Sequence, residues 1–373
     1  MDKLDELRSQ IDEIDKKMIA LLEKRMQVAQ AVGEYKKQRK TPVLQTARES
    51  VVFDNAVKNL NDKSYAPQAK EFMTAVMDIS KDSQRKIVDN ALEMEFERKP
   101  FDFDAPKGFF GLKGSNTEQA MINFFGNENG KAYQEFEGVF SAIEKDEIRY
   151  GILPIENSST GAINDIYDLL DKYNLYIIGE QWLRIDNNLF AKKGSLKGEA
   201  RQVFSHPQAL LQCDKFVREN NMQPIACDST AYACKLVSES DEKCAAIASA
   251  RTGKLYGLEL LEKDINDCSD NFTRFIVIAK HLTTAVGNKI SIEFGLENQV
   301  GTLFNALKYF AKYDINMIMI ESRPVKNNPC NYYFYIDLEG NCQDKKMLTA
   351  LEYIKAKSYK FKLLGEYRKG EIL

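Results

Sequence analysis

The sequence predicts a multidomain protein with an all-α segment first, an α/β two-lobed segment in the middle and an α+β segment at the end. Apolar residues at helical spacing fill the first 95 residues, and short strands and helices alternate across the middle of the chain. From residue 288 onward the pattern reads strand, helix, strand, strand, helix, strand. A chain of 373 residues is long enough for two or three domains.

One charged residue interrupts the apolar stripe of the first helix. The stripe alternates three and four residues apart, as in a coiled coil, at Leu4, Leu7, Ile11, Ile14, Met18, Leu21, Val28, Val32 and Tyr35. Arg25 stands where the next apolar residue belongs. Because an unpaired buried cation is costly, Arg25 implies a buried partner or an anionic ligand. The alternative is a coiled coil in which Arg25 only sets the register.

Two further helices bring polar side chains to the same region. Thr41-Pro42 ends the first helix, the second begins near Arg48 and runs to about Leu60, and the third runs from about Pro67 to Glu95. We expect the three helices to form a pocket for a small, hydroxylated dianion. Its lining is predicted to be Arg25, Lys36, Arg48, Glu49, Ser80 and Gln84.

Residues 1–95 resemble the all-helical chorismate mutase domain, in which three-helix chains form an intertwined dimer. The resemblance implies catalytic Lys36 and Gln84, which would hydrogen-bond the ether oxygen whose bond breaks. It implies substrate binding by Arg8 (from the partner chain), Arg25, Arg48, Glu49 and Ser80. Gln45 replaces an Asp that is usual in the family, so a mutase that has lost its activity remains an alternative.

Composition excludes several classes of function. A net charge near −3 gives no sign of a nucleic-acid or membrane partner, and no apolar run reaches the roughly 18 residues of a membrane span. Seven cysteines without CxxC spacing predict reduced thiols and a cytoplasmic protein. Only two histidines are present and GxGxxG is missing, so we expect no metal and no nicotinamide cofactor.

A linker at residues 96–106 is predicted from Pro100 and Pro106. Strands are expected at 108–111, 149–153, 175–179, 202–205, 223–227, 244–248 and 272–279, and helices from near Thr117, Asn164, Gln208, Thr230 and Ser249. We expect two lobes with a cleft between them.

Three segments of this region carry polar side chains at the ends of predicted elements. They are a glycine turn before a helix at 113–117, a polar cluster after a strand at 154–161, and Thr273-Arg274 at the start of an apolar strand. Helix N-termini and strand C-termini at a cleft are common ligand sites. Taken singly, each segment is also compatible with a helix cap, a capped loop or a strand edge.

Together the three segments resemble prephenate dehydratase across residues 107–280, with support from Ser205-His206-Pro207-Gln208. The resemblance implies a fold like a periplasmic binding protein, with catalytic Thr273 and Arg274. Thr273 would be an acid or a hydrogen-bond donor to the departing hydroxyl, the donor role being physically easier, and Arg274 would pair with a carboxylate or order the loop. The implied substrate-binding residues are Ser115, Thr117, Glu156, Asn157, Ser158 and Gln212. For His206, a structural and a catalytic role both remain open.

Residues 288–373 have the order of a ferredoxin-like βαββαβ unit and resemble the ACT regulatory domain of prephenate dehydratases. The resemblance implies phenylalanine binding at a dimer interface by Gly301, Leu303, Glu321, Ser322, Arg323 and Pro324. A dimerisation module without ligand is the alternative.

The sequence thus predicts a homodimeric, bifunctional chorismate mutase–prephenate dehydratase with phenylalanine as allosteric effector. A non-catalytic small-molecule sensor is the rival from another class. A separable C-terminal domain further predicts that loss of residues 288–373 leaves a working dehydratase that ignores phenylalanine.

Overall fold

A computed structural model of the chain describes residues 2–39, 41, 43, 46–88, 96–268, 270–326 and 328–372. These residues fall into two compact units. One unit comprises the N-terminal helices up to Val88 together with Leu348–Lys357, and the other comprises Phe96–Met347 together with the chain from Ser358 onward. No helix in the described part is long and apolar enough to cross a membrane.

Three helices form the N-terminal part of the first unit, as predicted. They are α1 (Lys3–Arg39), α2 (Thr46–Lys58) and α3 (Ala66–Val88), with one 3-10 turn at Lys63–Tyr65. At 37 residues, α1 is about 55 Å long. The third helix was predicted to reach Glu95, and residues 89–95 lie outside the described residues.

α1 packs onto α3 through Arg25 and the face beside the predicted stripe, and the apolar residues of the stripe itself do not take part. Ala29 and Gly33 are buried, and Arg25 and Met26 are half-buried. Gly33 permits a close approach, because a Cβ there would lie 3.3 Å from the Cα of Gln84. The predicted stripe is exposed in the single chain, at Leu4, Leu7, Ile11, Ile14, Met18, Leu21, Val28, Val32 and Tyr35.

The second unit alternates strands and helices. Its strands are β1 (Arg98–Lys99), β2 (Lys107–Phe110), β3 (Lys131–Tyr133), β4 (Tyr150–Asn157), β5 (Gly161–Ala162), β6 (Tyr176–Arg184), β7 (Asn188–Ala191), β8 (Gln202–Ser205), β9 (Gln223–Ala226), β10 (Cys244–Ala248), β11 (Glu259–Glu262), β12 (Phe272–Ala279), β13 (Leu282–Thr283), β14 (Lys289–Leu296), β15 (Met317–Val325), β16 (Asn328–Glu339) and β17 (Lys360–Tyr367). The remaining helices of the chain are α4 (Asn116–Phe125), α5 (Phe136–Glu144), α6 (Asn164–Lys172), α7 (Pro207–Gln212), α8 (Asp214–Glu219), α9 (Thr230–Glu239), α10 (Ala250–Leu255), α11 (Thr302–Lys312) and α12 (Lys345–Lys357).

Two sheets define the two predicted lobes. The larger has the order β15–β16–β14–β17–β6–β12–β4–β2–β3, with β5 paired to β4, and the smaller has the order β11–β7–β10–β8–β9. The chain leaves the larger sheet after β6 and returns to it at β12. The segments that join the lobes therefore lie next to Asn187 and Asn271.

Two differences from the predicted elements have a physical cause. Strand β4 was predicted to end at Leu153, before Pro154, but it continues to Asn157. Proline cannot donate to the ladder, and the pairing of β4 with β12 shifts register between Arg274 and Phe275, where Phe275 faces Pro154. Helix α5 was missed, although Val139, Phe140 and Ile143 at helical spacing bury its inner face.

The C-terminal elements β14, α11, β15, β16, α12 and β17 follow the predicted order. Their strands continue the larger sheet, because β17 pairs with β6 where Gly365 meets Ile177. A Cβ on Gly365 would lie 2.0 Å from the Ile177 carbonyl oxygen, so only glycine fits this junction.

Candidate active sites

Arg25 is held against α3 by neutral oxygens. Its Nη1 donates to the Val76 carbonyl oxygen at 3.2 Å and also to the Ser80 hydroxyl. Burial lowers the pKa of Arg25, because desolvation disfavours the charged form. Among the described residues Arg25 has no acidic partner, which leaves its charge available to an anionic ligand.

Lys36 and Gln84 lie on the facing helices α1 and α3. Lys36 Nζ donates to the Val43 carbonyl oxygen at 2.8 Å. Burial lowers the pKa of Lys36, and the positive charges of Arg85 and Lys81 lower it further. Gln84 presents a buried Oε1 that has no hydrogen-bond partner within the described part of the chain. Such an atom is expected to pair with a ligand or water.

Glu49, by contrast, is already paired. Its carboxylate forms ion pairs with Lys81 and, at 2.9 Å, with Lys357. Burial alone would raise the pKa of Glu49, but the hydrogen bonds from Lys81 and Lys357 hold it below its ordinary value. Lys81 was not predicted from the sequence, although its position beside Ser80 on α3 offered a signal.

The other predicted mutase residues do not join this pocket in the single chain. Arg8 is exposed near the start of α1, with Nη1 3.8 Å from Asp5 Oδ1, and Arg48 is exposed on α2. Gln45 lies outside the described residues.

A buried polar cluster stands where β4 and β12 meet the joint between the lobes. Asn157 donates from Nδ2 to Thr273 Oγ1 at 2.8 Å and to Asn271 Oδ1 at 3.0 Å. The Asn157 Oδ1 accepts from the backbone amides of Ser159 at 2.9 Å and Thr160 at 3.2 Å. Those two amides fix the orientation of the Asn157 side chain, so its NH₂ must face Thr273.

This arrangement leaves the Thr273 hydroxyl ready to donate. Its oxygen already accepts a hydrogen bond from Asn157, and its proton can therefore point to a different partner. Thr273 is 8% exposed, so the hydroxyl is largely shielded from solvent but remains accessible. The predicted pair of Asn157 and Thr273 is thus brought together by the fold.

Gln212 joins the cluster from the smaller lobe. Its Oε1 accepts from Asn271 Nδ2 at 2.9 Å and from Asn187 Nδ2 at 3.2 Å, which leaves its own NH₂ for a ligand. Ser158 ties the loop to β12, because its hydroxyl donates to the Asp270 carbonyl and accepts from the Phe272 amide. Asn187 and Asn271 were not predicted as site residues, although each is a polar residue directly before a strand.

Arg274 points away from this cluster. It is 2% exposed, and it pairs with Glu180 at 2.8 Å, Asp337 at 2.7 Å and Glu156 at 3.5 Å. Burial alone would lower the pKa of Arg274, but Tyr367, Asp337 and Glu180 hold it well above its ordinary value. The carboxylate expected for Arg274 is therefore supplied by the protein itself.

The predicted glycine turn is bonded to helices rather than to Thr273. Ser115 caps α4 by accepting from the Glu118 amide at 3.3 Å, and Thr117 is buried in the first turn. Thr252 donates to the Gly114 carbonyl at 2.5 Å, which attaches the turn to α10 of the smaller lobe.

His206 caps α7. Its Nδ1 accepts from the Gln208 amide at 3.3 Å, and burial lowers its pKa so that the neutral ring is favoured. The geometry supports the structural role among the two that the sequence left open.

The predicted effector residues divide between an edge strand and a helix start. Glu321 and Arg323 are half-buried on β15, while Ser322 and Pro324 alternate with them and are exposed. Arg323 Nη2 lies 3.4 Å from Asp168 on α6.

Gly301 precedes α11 with a φ of 78°, a left-handed conformation that favours glycine. Leu303 follows in the first turn and is half-buried. Within the described residues, no group of three or more His, Cys, Asp or Glu side chains stands close enough to hold a metal ion.

Comparison with known proteins matches both halves of this description. Residues 7–85 match the family model for chorismate mutase type II, and residues 108–283 match that for prephenate dehydratase. A bifunctional chorismate mutase/prephenate dehydratase of Aquifex aeolicus is 34% identical over 99% of this chain and 99% of its own length. The chain belongs to this bifunctional family. It has both chorismate mutase and prephenate dehydratase activity.

Two further relatives agree. The bifunctional chorismate mutase/prephenate dehydratase of Escherichia coli K12 is 32% identical over 97% of this chain and 95% of its own length. The crystal structure of a prephenate dehydratase from Arthrobacter aurescens in complex with L-Phe superposes with a TM-score of 0.66 and 28% identity, covering 71% of this chain and 90% of that one.

Proposed function

We propose that the pocket between α1 and α3 rearranges chorismate to prephenate and that the cluster around Thr273 converts prephenate to phenylpyruvate, as successive steps of phenylalanine biosynthesis in the cytoplasm. We assign residues 1–95 to the mutase, 107–280 to the dehydratase and 288–373 to an ACT regulatory domain, with 96–106 as linker. The dehydratase assignment rests on the Thr273 hydroxyl: its oxygen accepts a hydrogen bond from Asn157 Nδ2, which leaves its proton to be donated to the substrate.

The mutase reaction needs no nucleophile and no proton transfer. It needs a site that holds the compact conformer of the substrate and stabilises the negative charge that grows on the ether oxygen. Arg25 and Lys36, which bond only to neutral oxygens among the described residues, supply this positive field. Arg25 would bind a carboxylate, while Lys36 and Gln84 would donate to the ether oxygen.

The dehydratase reaction expels carbon dioxide and the ring hydroxyl of prephenate as the ring becomes aromatic. The Thr273 hydroxyl would donate to the departing oxygen, and a neutral threonine is better suited to that donation than to full proton transfer. Asn157 orients the donor, and the free amide of Gln212 would hold a carboxylate of the substrate.

Replacement of Thr273 tests this assignment. Thr273→Ala is expected to lower dehydratase kcat by about 100-fold or more with little change in KM, because its hydrogen bond strengthens only in the transition state. Thr283→Ala, a buried threonine on β13, is the control and should retain activity. Steady-state kinetics with prephenate decides the matter, and a raised KM with unchanged kcat would make Thr273 a binding residue instead.

A second chain would complete the mutase. The apolar stripe of α1 is exposed in the single chain, and Arg8 lies too far along α1 to join Arg25 in its own pocket. A homodimer in which two α1 helices pair would cover the stripe and carry Arg8 into the partner's pocket.

Phenylalanine would act as allosteric inhibitor at the C-terminal elements. The left-handed Gly301 before α11 and the edge strand β15 offer backbone donors and acceptors to the charged ends of an amino acid. The L-Phe complex of the Arthrobacter aurescens relative supports this choice of effector.

One assay distinguishes the proposal from a non-catalytic sensor. Purified protein supplied with chorismate should form prephenate and then phenylpyruvate, and phenylalanine should suppress the second product. Phenylpyruvate from prephenate but no turnover of chorismate would identify the alternative of an inactive mutase. Ligand binding without either product would identify a sensor.

A further inference from the structure

A buried ionic network lies directly behind the candidate dehydratase site. Arg274 donates from Nε to Glu180 Oε2 at 2.8 Å, and its Nη2 lies 2.7 Å from Asp337 Oδ2. Lys289 Nζ lies 2.8 Å from the same Glu180 oxygen and 3.0 Å from the same Asp337 oxygen. We call these four residues the ionic network; none of their side chains is more than 3% exposed.

The network joins two parts of the large sheet. Glu180 on β6 and Arg274 on β12 come from the dehydratase strands, whereas Lys289 on β14 and Asp337 on β16 come from the C-terminal strands. The network contains two cations and two anions, so its net charge is zero and each buried charge is compensated by the others. Removing one member would leave a buried charge without compensation.

Neutral hydroxyls complete the network. The Tyr367 hydroxyl accepts from Arg274 Nη2 at 3.1 Å and lies 2.7 Å from Ser291 Oγ, which also bonds Asp337. Without the C-terminal strands, the acidic partners left to Arg274 among the residues that the structure describes would be Glu180 and the more exposed Glu156, 3.5 Å away.

Thr273 is the residue next to Arg274 on β12, and neighbours on a strand point to opposite faces. The ladder between β4 and β12 is regular at Thr273 and Arg274 but shifts register immediately afterwards. On its other side β12 pairs in regular register with β6 from Phe272 to Val277, and β6 also carries Glu180 of the ionic network. The network anchors the Arg274 side chain on the face opposite to Thr273. We expect this anchoring to keep Thr273 Oγ1 at its 2.8 Å distance from Asn157 Nδ2.

We infer that Asp337 and Lys289 are positioning residues for the dehydratase reaction. They act through Arg274 on the placement of the Thr273 hydroxyl, so the C-terminal strands are an integral part of the dehydratase site. This inference rests on the proposed role of Thr273.

Asp337→Asn in the full chain tests it. Misplacement of a reacting group by about 1 Å can cost about 100-fold in rate, so kcat for prephenate should fall by about that factor while KM stays within about two-fold. Asp337→Glu keeps the charge but moves the carboxylate by one methylene, and its kcat should lie between that of the wild type and that of Asp337→Asn. Circular dichroism and thermal unfolding, measured on the same samples, report whether the unit that contains Asp337 is folded.

Glu339→Gln is the matched control. Glu339 lies two residues farther on the same strand and face, but its carboxylate is 42% exposed and pairs with the exposed Lys369. It should retain wild-type kcat. A folded Asp337→Asn protein with normal kcat, or with a raised KM as its main defect, overturns the inference.

Two outcomes need a second comparison. If Asp337→Asn does not fold, Asp337→Glu decides, and wild-type kcat in a folded Asp337→Glu protein overturns the inference. If Thr273→Ala keeps full dehydratase activity, the proposed dehydratase site itself is wrong. If Thr273→Ala loses activity but Asp337→Asn keeps wild-type activity, only the positioning role of Asp337 is refuted.

Discussion

At the scale of single residues, the cations between α1 and α3 fall into two groups: within the described part of the chain, Arg25 and Lys36 bond to neutral oxygens, whereas others pair with acids. Arg85 and Lys81 pair with acids, with Arg85 3.0 Å from Glu352 and Lys81 bound to Glu49. Lys36 instead bonds the Val43 carbonyl. Because burial and neighbouring positive charges lower its pKa, an anion beside Lys36 would stabilise its charged form.

Lys36→Ala should abolish mutase turnover and leave the dehydratase intact. Loss of one donor preorganised at a developing charge costs about 3–4 kcal/mol of barrier, or roughly 100- to 1000-fold in kcat. Rates with chorismate and with prephenate, measured on one preparation, check this. Lys37→Ala removes an exposed neighbouring cation and serves as the control, and near-normal prephenate formation by Lys36→Ala would exclude Lys36 from the mechanism.

At the scale of elements, short helices depend on their caps. α7 has only six residues, and it ends at Gln212, so the His206 cap supports a site residue from the other end of the helix. A helix this short has little stability of its own, and each unsatisfied amide in its first turn matters.

His206→Asn should preserve dehydratase kcat, because asparagine is also a good N-cap, whereas His206→Ala should lower the free energy of unfolding by about 1 kcal/mol. Thermal unfolding and kinetics with prephenate measure both effects. A large loss of kcat in a stable His206→Asn protein would show that the imidazole takes part in catalysis.

The His206 cap also predicts that the stability of the folded protein depends on pH. Burial lowers the pKa of His206 below its ordinary value near 6.5, so the unfolded chain binds the proton more readily than the folded one. The contribution of His206 to the free energy of unfolding is fully present at pH values above about 6.5, its pKa in the unfolded chain, and it declines as the pH falls below about 6.5. The unfolding temperature of the wild type should therefore fall more steeply than that of His206→Asn between about pH 7 and pH 5.

At the scale of the whole molecule, α1 carries an apolar stripe that is exposed to solvent in the single chain. Ile14 is 54% exposed and Ile11 56% in the single chain, along a continuous apolar face. Such a face is unusual on a monomeric protein and supports the homodimer that we propose.

Ile14→Lys should weaken the proposed dimer and, because Arg8 would then be withdrawn from the partner's pocket, lower mutase activity while sparing the dehydratase. Sedimentation and the two assays measure this. Lys16→Ala alters the opposite face of α1 and should change neither. A dimer that persists in Ile14→Lys with normal mutase activity would argue against pairing through this stripe.

The C-terminal strands also affect what we expect of a protein that lacks residues 288–373. The sequence predicted that loss of residues 288–373 leaves a working dehydratase, but this loss removes Lys289, Asp337 and Tyr367 from around Arg274. We now expect dehydratase turnover to fall with the phenylalanine response. Calorimetric titration of phenylalanine into the full-length chain is therefore the cleaner measurement of regulation.

The sequence by itself predicted the three N-terminal helices, many of the strands and helices that follow, and most of the polar residues that we assign to the two candidate sites. Periodicity marked α1 and α3, and Thr273 and Asn157 stood out because they end or begin apolar strands. These features are local, so they can be read from neighbouring residues along the chain.

Only the tertiary structure decided how those residues are partnered. Pro154 suggested the end of a strand, but pairing with β12 carries β4 past it to Asn157. The sequence indicated that Arg274 pairs with a carboxylate or orders the loop, and only the fold shows that Glu180 and Asp337, which lie far from it along the chain, supply the carboxylates. The balance of buried charge depends on contacts between distant strands, and no local pattern encodes those contacts.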